Sequence, residues 1–552
     1  MFARLKHINE KNVLRFDRYT ILSLLLLCAI GIKVSWNLSK YMDVMFWDEA
    51  LYMERGLAMF AIIPKTWGPA YSLWYKLVSF FVHENVSLYY FNFKLTSLLV
   101  SILLYLVMLS MGTQRILAFI FAMFFMSSYL NLPVWPHISH FVIIVILSGI
   151  LIAKFHQSLL EKLLIWSAAF LMATYARPEM FFPFLLVYGV AVIIFIIRIK
   201  QLHKREIIYA GLLTITVFLV SSKIGTPLNS GDTQRGIKVF LQHYAWRYSE
   251  DHHLKNVFWL EFMDIDKTQF GNKVYSTHFS ELLSAYPDKI GHHLSLNFKE
   301  YLLQTGKLLV NFFVPIFTEK PHWLALMIAL FMLIIYFSLN RKTSSFSHRI
   351  VSLLRMNLWS LLMLLLMLLS SVVVCIYAYP REHYLLLQVP FLLVSISLLI
   401  SAVSIERQDT YSKYIVLGVV WFFVTPESED FRYFSLPDVN GKLPNQKAIS
   451  LIKKEFTQKD SIRIFDVEGY VRTMLPANFT DYNSAFFADT TILPSNHILQ
   501  NKIDIVYVSS TFRLFNRITR DSIMTDMLKH PETYGYLSRK SAENINLLIR
   551  KR

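Results

Sequence analysis

Apolar residues in this chain fall in long blocks separated by short polar gaps. Blocks lie near 19–38, 93–111, 114–131, 138–154, 160–176, 179–198, 206–222, 321–339, 354–377, 383–404 and 411–425. A helix that crosses hydrocarbon needs roughly 17–25 such residues, so the pattern predicts eleven transmembrane helices, several of minimal length. The flank before the first block carries Arg4, Lys6, Lys11, Arg15 and Arg18, and no small-residue cleavage site follows it. It therefore predicts a retained first helix with a cytoplasmic N-terminus rather than a signal peptide.

Three polar stretches interrupt the blocks. Residues 39–92 hold an acidic cluster followed by a Pro/Trp/Tyr-rich run, and 223–320 is polar and rich in His. Within the second, 301–317 is apolar, and its place in the charge pattern predicts an interfacial or re-entrant helix rather than a span. From about residue 426 the composition turns ordinary. There SIRIFDV (461–467) and KIDIVYVSS (502–510) predict buried strands, and QKAISLIKKEF (446–456) has helical apolar spacing. The expected fold is a polytopic α-helical membrane module over 1–425, followed by a small α/β extracytoplasmic domain over 426–552. No glycine-rich phosphate loop occurs in the second part.

Composition agrees with this division. Of 552 residues, 55% are hydrophobic and 17% charged, against about 25% charged in soluble domains. The net charge of +17 fits either nucleic acid or membrane orientation, and its distribution decides between them. Expected inner gaps hold Arg115; Lys154 and Lys162; Arg198, Lys200, Lys204 and Arg205; Arg341, Lys342, Arg349 and Arg355; and Arg407 and Lys413. The short outer gaps hold only Arg177 and Arg381. That is the positive-inside asymmetry. No basic stripe with interleaved aromatics occurs, so no nucleic-acid partner is expected. Two cysteines, Cys28 and Cys375, both in apolar runs, exclude a disulfide framework.

The segment with the most chemistry is MDVMFWDEALYMERGLAMF, 42–60, just beyond the first block. Its carboxylates sit among aromatic and aliphatic residues near the membrane surface, where partial burial raises a carboxyl pKa and suits a general base. Asp48 and Glu49 diverge on a helix, whereas Asp48 shares a face with Tyr52. A solvated amphipathic helix capped by Asp43 or Asp48 explains the same residues, and residue types alone leave both readings open.

WDEALYMERG resembles the first outer loop of the GT-C superfamily of glycosyltransferases, including protein O-mannosyltransferases and lipid A aminoarabinose transferases. PKTWGPAYSLWYKL (64–77) is similar to the Pro/Gly/aromatic segment that follows in those families, and ATYARPEMFFPFLL (173–186) to their Arg-Pro-Glu element. YPREHYLLLQVP (379–390) resembles a late Arg-Tyr-Leu-Leu-Pro-type element, although Glu382 and His383 separate Arg381 from Tyr384. The resemblance implies an inverting transferase in a bacterial inner membrane, with its C-terminal domain in the periplasm. It would move a sugar from a polyprenyl-phosphate donor to a glycan, lipid or protein acceptor on the outer face. Asp48 takes the role of base, with Glu49 binding acceptor or orienting Asp48, and Asp43 as the rival base. Arg381, Arg177 and Lys65 take the donor phosphate, and Tyr52 and His383 are accessory candidates. A transporter or flippase of lipid-linked saccharides, or a surface-polysaccharide polymerase or ligase, is the alternative.

A leaving phosphate needs positive charge at the outer surface, a need that Arg177 and Arg381 meet independently of the resemblance. Snorkelling, or a helix-end ion pair such as Arg177 with Glu179 or Arg381 with Glu382, is the structural alternative. No cofactor is expected. The adjacent pairs His252–His253 and His292–His293 do not share a helix face, and no HExxH occurs. Asp264-Ile-Asp266 matches only a short DxD pattern, and its surroundings fail as a calcium loop. His137 and His140 flank an outer turn and are expected to be structural.

Overall fold

A computed structural model describes residues 17–59, 68–226, 235–253, 265–271, 279–312, 346–403, 411–424, 443–456, 461–469, 471–482, 492–542 and 544–551. The molecule is mainly helical. Its larger part comprises α1 (Arg18–Ser35), α2 (Asp48–Leu57), α3 (Pro69–Ser79), α4 (Asn85–Ser110), α5 (Arg115–Ser127), α6 (Ile138–Lys154), α7 (Leu159–Thr174), α8 (Phe181–Ile197), α9 (Lys204–Ile224), α10 (Arg235–Asp251), α11 (Pro287–Asn311), α12 (Phe346–Tyr377), α13 (Val389–Val403) and α14 (Tyr411–Val424). Among the described residues six stretches are long and apolar enough to cross a membrane: Arg18–Lys40, Asn85–Ser110, Pro178–Ile197, Lys204–Ile224, Arg349–Tyr377 and Glu382–Ala402. Arg115–Ser127, Ile138–Lys154 and Tyr411–Phe423 are apolar but shorter. By length the described helices thus give six candidate spans where eleven were expected. The apolar run 321–339 lies outside the described residues.

The helix termini sort into two ends. At one, Asp17 caps α1 by accepting from Thr20 N at 2.9 Å and pairs with Arg115 at 2.8 Å. Arg18 lies over Tyr411 at 4.9 Å. Lys154 Nζ donates to Asn357 Oδ1 at 2.8 Å, and Asn357 Nδ2 donates to Met111 O at 2.6 Å. Ser158 donates to Glu206. Arg18, Arg115 and Lys154, all expected on one side of a membrane, therefore lie at one end of the bundle. At the other end Ala70 N donates to Tyr175 O at 3.1 Å, Tyr175 Oη to Gly225 O at 2.9 Å, and Asn297 Nδ2 to Ala378 O at 2.8 Å.

Of the apolar run 301–317, residues 301–311 form the end of α11 with Phe312 just beyond it, and 313–317 lie outside the described residues. Tyr301, Leu308 and Phe312 are buried, and Phe312 packs 5.9 Å from Phe121 and 5.8 Å from Phe124. One face of this stretch thus packs into the bundle, while Leu302, Leu303 and Leu309 on the other stay exposed.

The C-terminal part folds as a five-stranded sheet, β1 (Ile462–Asp466), β2 (Phe479–Asp481), β3 (Ile505–Val508), β4 (Tyr536–Ala542) and β5 (Ile545–Arg550), in the order β2-β1-β3-β5-β4. β1 runs parallel to β2 and β3, while β5 is antiparallel to β3 and β4. Every residue of β3 is buried, which explains its unbroken apolar run. Helices α15 (Pro444–Glu455), α16 (Pro494–Gln500) and α17 (Ser522–Lys529) accompany the sheet. Asp521 caps α17 through Met524 N at 3.0 Å and also accepts from Ser495 N at 2.8 Å.

Candidate active site

The acidic segment enters the fold as an extended loop, 42–47, leading into α2. Trp47, the residue before the helix, adopts φ 62° and ψ −131°, a left-handed backbone that a side chain other than glycine holds only at a cost of about 1–3 kcal/mol. The C-terminal domain holds it there. The Trp47 indole donates to Glu468, and Phe46 meets Tyr507 edge-on at 5.9 Å. Asn445 Nδ2 donates to Val44 O at 2.7 Å. Gln446 Nε2 donates to Ser39 O at 2.8 Å, Met42 O at 3.0 Å and Tyr90 Oη at 2.6 Å.

Asp43 is the centre of this clamp. Its carboxylate accepts from Val44 N (2.9 Å), Asn445 N (2.8 Å) and Gln446 N (3.0 Å). It caps the start of α15, where free N–H groups and the helix dipole favour an anion. Burial pushes its carboxyl up to about 6, against the lowering effect of those three N–H groups. With both oxygens engaged and only 6% of its surface exposed, Asp43 is a cap between domains and is not available as the rival base.

Of the two roles expected for Glu49, its surroundings leave room for the orienting one. Glu49 has no exposed surface. Its Oε1 accepts from Tyr71 Oη at 2.6 Å, Tyr75 Oη at 2.5 Å and Asn92 Nδ2 at 3.1 Å, and its Oε2 from His137 N at 2.9 Å. A carboxylate sealed behind four donors cannot bind an acceptor. What remains of its expected role is to fix the first turn of α2, which carries Asp48. Burial raises its carboxyl to about 7, the tyrosines and His137 N opposing this and the Asp48 charge adding to it. Helices α2 and α3 can approach this closely because residue 56 is glycine: a Cβ there would collide with the Ser72 carbonyl and come within 2.8 Å of Tyr75 Cβ.

Asp48, one residue earlier, is half-buried. It comes together with Tyr52, Arg177, Glu179 and Tyr384 within electrostatic reach. Tyr52 is 3% exposed and meets Tyr71 edge-on at 5.3 Å. The Arg177 guanidinium lies 4.4 Å over the Tyr384 ring. Its Nε is 2.8 Å from Glu179 Oε1, an ionic approach without hydrogen-bond alignment, and its Nη2 has no hydrogen-bond partner among the described residues. Burial works against its charge, and Glu179 leads the groups that outweigh this. Arg177 is 7% exposed, so its guanidinium is a buried cation whose Nη2 keeps donor capacity beside Glu179.

Arg381 is partly exposed and stands at the head of a short helical turn, 5.9 Å from the Trp246 ring. It shares the electrostatic surroundings of Tyr384 with Arg177. His383 is buried, 4.1 Å from the Tyr384 ring. The structure thus brings Asp48, Tyr52, Arg177, Arg381 and His383 to one place, with Glu49 behind it and Asp43 in the clamp. Lys65 lies outside the described residues.

Some neighbours were missed from sequence. Helix α10 presents His243, Trp246, Arg247 and Glu250 to the 377–381 segment. Trp246 stacks on Tyr379 at 5.3 Å, Arg247 lies 4.7 Å over the same ring, and Tyr379 Oη donates to Glu250 at 3.2 Å. Their spacing of three and four was a visible helical face. His243 is held neutral by burial and by Arg381, at about 3. His137 is structural as expected: buried, its Nδ1 lies 2.7 Å from Thr96 Oγ1 and its Nε2 3.2 Å from Leu132 O, with the His140 ring 4.0 Å away. Among the described residues no three His, Cys, Asp or Glu side chains gather as a metal-binding set. Asp264 is outside those residues, and Asp266 is buried.

Beside this cluster runs an apolar groove of about 620 Å³. Met59, Pro69, Ala70 and Tyr175 form part of its wall, and the rest extends along α7 and α9 through Ala168, Leu212 and Val220 to His156 at the basic end. Tyr175 is two residues from Arg177. Gly68, next to Pro69, packs against Tyr52 so closely that a Cβ would lie 2.9 Å from its ring. The groove and the charged cluster therefore share a wall. No protein-family model matches this chain, and no curated protein matches it by sequence.

Proposed function

We propose that the chain is an integral-membrane glycosyltransferase of the GT-C type that uses a polyprenyl-phosphate sugar. The membrane part has eleven spans, its basic end is cytoplasmic, and the Asp48 cluster and C-terminal domain face the periplasm. The observation that carries this reading is the buried, under-partnered Arg177 guanidinium between a half-buried carboxylate and an apolar groove. That combination suits a molecule with a long hydrocarbon tail, a phosphate and a polar head.

Chemically, the tail lies in the groove and the phosphate meets Arg177 and Arg381. Asp48 removes a proton from an acceptor hydroxyl or amine as that atom attacks the anomeric carbon. The bond from the sugar to the phosphate oxygen breaks, and its electron pair leaves on the lipid phosphate, where the guanidinium groups stabilise the charge. The configuration inverts in one step, and Asp48 passes its proton to solvent. Tyr52 borders the sugar side, and Glu49 keeps the first turn of α2 in place.

The test uses purified full-length protein in detergent with a polyprenyl-phosphate sugar and an acceptor. Release of lipid phosphate is expected only when acceptor is present. Asp48→Asn should lower that rate by about 10²–10⁴-fold with donor binding retained. Full activity in this variant removes Asp48 as the base. Movement of intact donor across vesicles without cleavage points instead to a transporter.

A further inference from the structure

At the basic end, remote from the Asp48 cluster, a second pocket of about 200 Å³ opens between the end of α6, the start of α7 and α12. Lys154 and Lys162 enter it from two different helices. Gln157 and Ser360 add polar groups, and no carboxylate lines it. Trp166 forms its floor. It lies one turn beyond Lys162 on the same face of α7, is 3% exposed, and its indole N–H is buried without an acceptor among the described residues. A buried donor with no acceptor is rare in folded proteins and marks a missing partner. Trp166 lines the same pocket as the two lysines, which makes an anion bound between them a candidate for that partner.

Lys154 is held in position: its Nζ donates to Asn357 Oδ1 at 2.8 Å, and Asn357 is itself anchored to Met111 O and Leu353 O. The rim is apolar. Trp359 and Met356 are 38% and 37% exposed, and they flank Asn357, which meets Lys154 and Met111 O at the ends of α6 and α4; tryptophan is enriched at headgroup depth. Basic pockets between helices on a cytoplasmic face bind anionic headgroups.

We propose that this pocket binds the phosphate of an anionic phospholipid, with Lys154, Lys162 and the Trp166 N–H as its donors. It requires only that the basic end lie at a membrane surface, and it stands or falls separately from the transferase reading.

The experiment is native mass spectrometry of the detergent-solubilised full chain, offered phosphatidylglycerol, phosphatidylcholine or inorganic phosphate. Phosphatidylglycerol is expected to be retained in preference to phosphatidylcholine. Lys162→Gln should cut that preference about fivefold, the effect of one lysine near a charged headgroup. Because Lys154→Gln also breaks the Asn357 link, Trp166→Phe serves as the second variant: it keeps the bulk, removes the N–H, and should weaken retention as well. Competition by millimolar inorganic phosphate would identify a bare phosphate as the recognised group; no competition would identify the phosphate within its lipid. Equal retention of the two lipids, or a preference that both variants leave intact, overturns the proposal. Donor turnover at Asp48 is unchanged in every arm.

Discussion

Glu49 shows what one buried carboxylate costs and what it secures. Its ionised form suits its four donors, yet burial outweighs them and leaves the group titrating near pH 7. Because the folded-state value lies above the ordinary 4.5, the folded protein holds this proton more tightly than the unfolded chain. The associated stability is fully present below about pH 4.5 and is lost as pH rises through about 7. Asp43, raised to about 6, acts in the same sense over a narrower window. In Glu49→Gln, an amide N–H must face one of the donors that Glu49 now satisfies, which should destabilise the protein by about 1–3 kcal/mol. The same variant should flatten the decline in melting temperature between pH 4.5 and 7. Thermal unfolding followed across that range checks both effects, and an unchanged slope would show that Glu49 is not the titrating group.

Among the elements, α15 joins the two halves of the molecule. Its apolar face, Ala448, Ile449 and Ile452, is buried in the C-terminal domain, while its first turn is pinned to Asp43 and its Gln446 side chain spans three acceptors of the membrane part. Gln446→Ala removes those three bonds at about 0.5–1.5 kcal/mol each. Hydrogen exchange across 42–47 should therefore rise at least about tenfold while β1 and β3 stay protected. Unaltered exchange in the loop would remove α15 as its anchor.

For the whole molecule, the apolar groove and the charged cluster beside it make a prediction about ligand length. Ala168 lines the groove well away from the polar cluster. Ala168→Trp should raise the KM for a long-chain donor about tenfold, the loss of roughly two buried methylenes at about 0.8 kcal/mol each. A donor with a short, water-soluble tail should be unaffected. Equal effects on both donors would mean that the tail does not lie there.

Legibility from sequence followed the range of the interaction involved. Apolar blocks announced the helices, because lipid and core both demand continuous hydrophobic surface. The buried strands β1 and β3 were legible for the same reason. Strand β4, YLSRKSA, exposes four of its seven residues and carries no such signal. Arg177 and Arg381 stood out as lone cations between apolar runs. The engagement of Asp43 by Asn445 and the sealing of Glu49 beneath Tyr71 and Tyr75 were not legible, since partners distant in sequence leave no periodicity. The His243–Trp246–Arg247 face of α10 was present in the spacing, but nothing in sequence said which segment it would meet.

The clamp on the acidic loop also has a consequence in time. Asp43 leaves the ribosome early, and its partner Asn445 follows 402 residues later. At about 5–20 residues per second, the loop spends roughly 20–80 s unfastened while the remainder of the polypeptide is made. A nascent chain thus carries its acidic loop unlatched, and translation itself delays the clamp until the final domain arrives.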